Sequence, residues 1–559
     1  MIIPITLNGN PIKSETQETC LKSEFRVLLV YPNLPLMLVP PLAIGLFTKI
    51  LKDQQYQVQL FDTTGYLSDE SISPENRVKF LQAREFKYEQ DLGVKIKYDL
   101  LKDFEEHVNM FKPHVLLFSV VEDAFIKTIK MLKSIEYLNI PHLLGGVFPT
   151  AAPKRCFDFP EVKAIGIGEG EKTILAFCEA TRTKQPLNTV GGIWYKNNGE
   201  IIKTQANELV NINNSRPDFS LIDEARFYRP MGGKIFKTVP IETYRGCPYL
   251  CTFCNSPMQV TNAKEQEQGF FLRRKDIPIL KEELKNITKL YKPEFFYFID
   301  DSFLARPKQE IYEFCEMYKE FSLPFWFNSR PEACEPEILE ALKESGCYRI
   351  SFGIECGNEQ YRKKVLKRYV SNDKLVSTFN NIISLSGIPF SVNLIIGFPG
   401  ETRELIMDTI YLVKQINGYD TLTVSMFTPY HGTELRSVAE KNKWMDASAI
   451  TIHTTSSSML KMPKPYISSK DLDGLMKVLP LYCYFPESEW TTIKKAEKDN
   501  KKGQEILKHY SEIYNTEFLK SNQEEKIIQG GSGCKSNPKD SLKINISKLT
   551  LEEIAMLTV

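Results

Sequence analysis

Three cysteines fall within eight residues of the segment TYRGCPYLCTFCNSP (243–257): Cys247, Cys251 and Cys254, spaced C-x3-C-x2-C. Thiolates at such spacings can converge on one metal centre. A closed structural zinc site takes four protein ligands, and no fourth Cys or His lies nearby; the next cysteine is Cys315. On a 4Fe–4S cube, three thiolates would leave one iron open to a small molecule. Two other readings stand beside this one: zinc with a distant fourth ligand, and three unrelated buried cysteines.

The elements around the trio follow a βα alternation. FRVLLVYP (25–32) is a continuous apolar run, as for a parallel strand covered on both faces. Further strands are predicted at 58–62, 114–121, 141–146 and 164–171, with helices at 40–53, 126–138 and 171–182 between or after them. Segment 67–110 reads as a charged helical insertion, and 191–204 as a hairpin with an Asn-Gly turn. This makes the fold class α/β, with an N-terminal Rossmann-like doubly wound domain over 24–205 behind a polar arm, 1–23. A proline-bearing linker, 206–234, leads to a second series. Its strands are predicted at 239–244, 295–300, 324–328, 348–354, 389–396 and 421–427, and they form a partial (β/α)6 barrel over 235–440. In such sheets ligands gather at the C-terminal strand ends, where the cysteine loop falls. Segment 441–519 is helical, and 520–559 reads as a flexible linker with a terminal helix.

Composition narrows the function classes. With 71 basic and 70 acidic side chains the net charge is +1, so no global field points to nucleic acid. The most apolar stretch, 27–47, carries four prolines and is no membrane span. No signal peptide is evident at the start, and twelve cysteines in 559 residues are too few for a disulfide scaffold. A reducing cytoplasm is the expected location.

The pattern C-x3-C-x-aromatic-C, with Phe253 as the aromatic, resembles the radical S-adenosylmethionine (SAM) superfamily. The resemblance implies a 4Fe–4S cluster on Cys247, Cys251 and Cys254 whose open iron chelates SAM. It also places Asp300, Asp301 and Ser302 of FYFIDDSF at the SAM amino group, and Glu355, with Gly353, of GIECG at the ribose. Gly397 of NLIIGFPGET falls on the adenine side, and Arg330 is available to a carboxylate. TPYHGTEL (428–435) also matches a pattern of the superfamily. Asp301 or Ser302 reads nearly as well as a helix cap.

The loops of the first domain, Ser119, Gly145 and Gly146 of GGVFPT, and Gly168, Glu169, Gly170 and Glu171 of GEGE, resemble the cobalamin-binding domain of cobalamin-dependent radical SAM enzymes. So does the proline-rich stretch 32–43. None of the histidines (His107, His114, His142, His431, His453, His509) lies in an Asp-x-His-x-x-Gly context. A histidine below the cobalt is therefore not expected.

The resemblance implies a methyltransferase acting on an unactivated carbon or a phosphinate, through methylcobalamin and a 5′-deoxyadenosyl radical. It implies an external one-electron reductant such as flavodoxin or ferredoxin. The substrate class stays open among small molecules, lipids and peptides. The alternatives are a radical SAM oxidase, cyclase or rearrangement enzyme, and a non-enzymatic cobalamin or iron–sulfur sensor.

Overall fold

Residues 26–31, RVLLVY, form the central strand of the first domain because four consecutive apolar side chains are buried between two layers of helices. The computed structural model describes residues 20–67 and 75–520. Most of the 1–23 arm and nearly all of the 520–559 tail lie outside the described residues. Five parallel strands, β1 (Arg26–Tyr31), β2 (Gln57–Asp62), β3 (Val115–Ser119), β4 (His142–Gly145) and β5 (Ala164–Gly166), take the order β2-β1-β3-β4-β5. This is a doubly wound sheet. Two antiparallel strands, β6 (Ile193–Asn197) and β7 (Glu200–Lys203), extend its edge. Their turn is Asn198-Gly199 with both φ positive, 50° and 86°, the hairpin predicted from the dipeptide. The fifth strand is shorter than expected, and the helix Gly170–Arg182 starts directly after the GEG turn.

The second sheet begins inside the segment expected to be linker. β8 (Tyr228–Met231) pairs antiparallel with β9 (Lys234–Ile241). The rest of 206–234 is anchored rather than loose: Phe219 packs into the hollow left by Gly45, and Arg226 bonds the Leu38 and Val39 carbonyls and Asp62. The chain leaves β9 three residues before the predicted end and re-forms a short ladder, β10 (Tyr244–Arg245) with β11 (Arg273–Arg274). Then come β12 (Phe295–Phe298), β13 (Phe325–Ser329), β14 (Cys347–Glu355), β15 (Phe390–Ile396) and β16 (Thr421–Met426). The order β16-β15-β14-β13-β12-β9-β8 holds six parallel strands and one antiparallel edge, a partial barrel.

Alternation along the barrel strands sorts side chains by face. Phe296, Phe298, Phe325 and Phe327 are fully buried and meet the helices Lys308–Tyr318 and Pro336–Glu344. Tyr297, Trp326 and Asn328 face the other way. Helices at the strand ends are capped as their sequences suggest: Ser371, Thr402 and Thr433 accept from Lys374, Leu405 and Arg436 amides. The C-terminal helix Ser469–Tyr484 packs on the outer barrel, and Tyr482, Tyr484 and Phe485 join the core rather than line a pocket. No helix among the described residues is long and apolar enough to cross a membrane.

Candidate functional site

The cysteine loop leaves the barrel after β10, at the C-terminal edge of the sheet. Asp300, at the end of β12, pins its base by accepting from the Thr243 and Tyr244 amides at 2.8 and 3.0 Å and pairing with Arg306. All its accepting capacity is spent there. Asp300 therefore holds the base of the loop in place. Asp301 and Ser302 turn the other way. Asp301 accepts from Ser256 at 3.2 Å, and the Ser302 hydroxyl is buried without a partner.

Cys247, Cys251 and Cys254 are free thiols, each half-buried. Burial, with Asp301 and the neighbouring thiols adding to it, pushes Cys247 up to about 11 and Cys254 up to about 12. They stay protonated at neutral pH unless a metal cation holds the thiolate form. Arg330 donates to the Cys251 sulfur at 3.3 Å while lying over the Tyr249 ring, 3.7 Å from its centroid. Among the described residues no three His, Cys, Asp or Glu side chains gather closely enough for a single ion. A lone zinc draws each sulfur to about 2.3 Å; a cube takes one thiolate per iron corner and so needs its sulfurs further apart. The donor set, three thiols with an orphaned serine and a cation beside them, fits a cube.

Glu355 ends β14 in the left-handed region, φ 68°, where the β14–β15 register shifts. Such backbone strain in a non-glycine residue clusters at functional sites. A Cβ at Gly353 would sit 2.2 Å from the Glu355 carboxylate, so that glycine gives the acid its room. Burial raises the Glu355 carboxyl, against the pull of Arg368 and Arg330. Arg368 donates to it at 2.9 Å, and Glu332 links Arg368 to Arg330. Arg368 and Glu332 belong to no motif, and sequence reasoning missed them. Phe253 packs on Phe398, 5.7 Å between centroids, and Gly397 adopts φ 87° beside Met426 and Leu472. Cys356 of GIECG is wholly buried in that apolar cluster.

Glu401 of the same GFPGET turn was also missed. It is fully buried, accepts from the Gly397 and Phe398 amides, and keeps one oxygen unpartnered. Burial outweighs those amides and pushes its carboxyl from 4.5 up to about 8. Between those values the folded chain holds a proton the unfolded chain has lost, so stability falls as pH rises, by roughly 1.4 kcal/mol per unit. Glu401→Gln should remove that slope and melt above the wild type by a margin that widens from about pH 5 to about pH 8. Parallel melting curves across that range would rule it out.

A cavity of about 260 Å³ opens at the C-terminal ends of β3, β4 and β5. The first domain contributes Ser119, Gly145, Gly146, Gly168, Glu169 and Gly170; the second contributes Arg245, Gln259, Asn262, Gln266, Gln268 and Phe271. Glu171 does not line it. Its carboxylate is held by Arg245 at 2.8 Å, because Arg245 also binds Glu169 at 3.0 Å and Glu242, fastening one domain to the other. Arg273 adds a second cation on Glu169. A Cβ at Gly145 would meet nothing closer than 3.9 Å and would project into the hollow. The cavity's glycines leave the floor of the hollow free of side chains. Gly145→Leu should therefore strip cobalamin from reconstituted protein while leaving iron content and melting temperature unchanged. Unchanged corrin content would move the corrin elsewhere.

Glu122, just beyond β3, accepts from the His431 amide and ring at 2.8 and 2.6 Å and from the Thr451 amide. His431 in turn receives Asn255, the residue after Cys254, on its carbonyl. The TPYHGTEL turn thus ties the first domain to the cluster loop.

Residues 241–413 match the Radical SAM superfamily. An uncharacterized methyltransferase of Pyrococcus horikoshii is 25% identical over 386 residues, 67% of this chain and 79% of the relative. The cytidylyl-2-hydroxyethylphosphonate methyltransferase of Streptomyces wedmorensis is 24% identical over 439 residues, 71% of this chain and 77% of the relative. The cobalamin-dependent SAM radical enzyme OxsB, solved with aqua-cobalamin and SAM bound, superposes with TM-score 0.60 at 17% identity, covering 94% of this chain and 75% of that one. The radical SAM methyltransferase TsrM of Kitasatospora setae, solved with cobalamin and a [4Fe–4S] cluster, gives 0.56 at 15% identity, covering 90% and 99%. Residues 241–413 are thus a radical SAM domain, set in a chain with the fold of the cobalamin-dependent radical SAM enzymes.

Proposed function

We propose that this chain is a cobalamin-dependent radical SAM methyltransferase acting on an unactivated carbon or a phosphinate phosphorus of a small-molecule, lipid or peptide substrate. One observation carries the reading: Arg245, two residues before Cys247, also walls the glycine-lined cavity of the doubly wound domain. A corrin arm held there lies beside the loop that holds the cluster. Both methyltransferase relatives match this chain across most of their own length.

When bound, the cluster and SAM supply a 5′-deoxyadenosyl radical and the corrin supplies the methyl group. The chain's own residues bind and orient. Cys247, Cys251 and Cys254 hold three corners of the cube. Asp301 and Ser302 meet the SAM amino group, Glu355 its ribose, and Gly397 and Phe253 its adenine side. Arg330 steadies the Cys251 thiolate. Ser119 and the glycines at 145, 146, 168 and 170 keep side chains out of the corrin's way. A reducing cytoplasm and an external one-electron donor, a flavodoxin or ferredoxin, complete the reading.

Anaerobic reconstitution with iron, sulfide and hydroxocobalamin tests it. The expected yield is about four irons and one corrin per chain, with SAM converted under reduction to both 5′-deoxyadenosine and S-adenosylhomocysteine. Zinc in place of iron would end the proposal. 5′-Deoxyadenosine with no S-adenosylhomocysteine and no methylated product would select the oxidase, cyclase or rearrangement alternative.

A further inference from the structure

Buried cations in this chain carry partners. Arg349 forms a fork with Asp420, Arg306 holds Asp300, Arg368 holds Glu355, and Lys275 holds Glu283. That is what desolvation demands, since an uncompensated buried charge is costly. Among the described residues, wholly buried Arg362 is satisfied instead by the Cys356 and Val370 carbonyls and Asn372, whereas half-buried Arg229 of β8 has no such acceptor. Its guanidinium sits 5.5 Å from the Tyr297 ring centroid and 5.3 Å from that of Trp326, and Nη1 is out of solvent with no acceptor. Among the described residues no carboxylate pairs with it, and the tyrosine is its one electrostatic relief.

Arg229 lies inside the half-barrel. Tyr297 and Trp326 are stacked, 4.2 Å between centroids, on the inner face of β12 and β13. Asn328 donates to the Tyr297 hydroxyl at 2.9 Å, and the Trp326 indole donates to Ser351, which Ser391 also reaches. A closed parallel barrel fills its interior with branched apolar side chains. Here the inner face is polar, and Arg229, Tyr297, Trp326 and Asn328 each keep a partly accessible surface. The lumen is built to hold something polar, and its one unpaired charge is positive.

We propose that the half-barrel lumen is an anion site centred on Arg229, so that the substrate entering it carries an oxyanion group, a carboxylate or a phosphate or phosphonate. The proposal rests on the radical SAM reading only in calling the occupant substrate. The site itself follows from Arg229 and its surroundings. The planar fork of arginine suits both oxyanions, and the aromatic pair beneath fixes its plane.

Calorimetric titration of the full-chain, reconstituted protein with inorganic phosphate, methylphosphonate and acetate, separately, tests it without turnover. At least one probe should bind, and the tighter class identifies the substrate's anion. Arg229→Met should weaken that probe by roughly ten- to a hundredfold, the weight of charge-assisted hydrogen bonds. It should hold the wild-type amounts of iron and corrin and melt no lower than wild type, because an unpaired buried charge is gone. Arg229→Lys, which keeps the charge but not the fork, should bind with intermediate affinity and serves if the methionine variant does not fold. Probe and SAM should bind together. No binding by any probe, wild-type affinity in both variants, a lower melting temperature with unchanged affinity, or displacement of the probe by SAM would each overturn the assignment. Failure to methylate would leave these outcomes untouched, so the two readings fail separately.

Discussion

Alanine at Cys247, Cys251 or Cys254 is expected to empty the cluster site and abolish reductive SAM cleavage. A four-ligand structural metal is bound by on the order of 10–16 kcal/mol. One thiolate of three or four is therefore worth roughly 3–4 kcal/mol, two to three orders of magnitude in affinity. The trio lies on a half-exposed loop outside the main apolar cores. Its loss should leave the fold of the metal-free chain nearly unchanged, within about 0.5 kcal/mol. Iron analysis and melting of each variant check both halves. A variant that kept its full iron complement would remove the basis for radical chemistry at this loop.

The second large effect is on stability. Arg245 neutralises Glu169, Glu171 and Glu242, and its side chain is only 16% exposed, theirs 13%, 10% and 11%. Arg245→Met leaves Glu171 and Glu242 buried without their cation, while Glu169 keeps Arg273. Breaking a buried pair on one side costs about 3–5 kcal/mol, a fall in melting temperature of about 3–4 °C for a chain this size. Corrin retention should fall with it, since the same arginine walls the cavity. Adding Glu171→Gln and Glu242→Gln to Arg245→Met should restore most of the lost stability. A loss under about 1 °C for Arg245→Met alone would mean that the cluster of charges is solvated and does not fasten the domains.

How far the sequence carried these conclusions differs by level. The strand positions in both domains follow from continuous apolar runs such as VLLV and from turn signals such as Asn198-Gly199, which act locally. The cysteine spacing is likewise local, and Glu355 announced itself as an acid at a barrel strand end. What the sequence did not reveal is of longer range. Asp300 and Asp301 are adjacent and chemically identical, and only the Thr243 amide and Arg306 decide which one the fold consumes. Glu171 looked like part of a ligand loop, yet its partner lies 74 residues away. Arg368 and Glu332 carry no motif, and Glu401 sits unassigned within GFPGET; all three became visible only through burial and unpaired polar atoms. Segment 206–234 read as linker because prolines and polar residues dominate it, although Phe219 and Arg226 anchor it to the first domain.

The cavity beside Arg245 has one wall on each domain, and neither domain alone encloses it. Under the proposed function, a corrin arm held there would leave only when the two lobes part, and the dwell time of the cofactor would be set by how often that seam breathes. The first domain cut out as a free module would offer an open shelf instead of a slot, and grafting it onto another barrel would transfer half a grip.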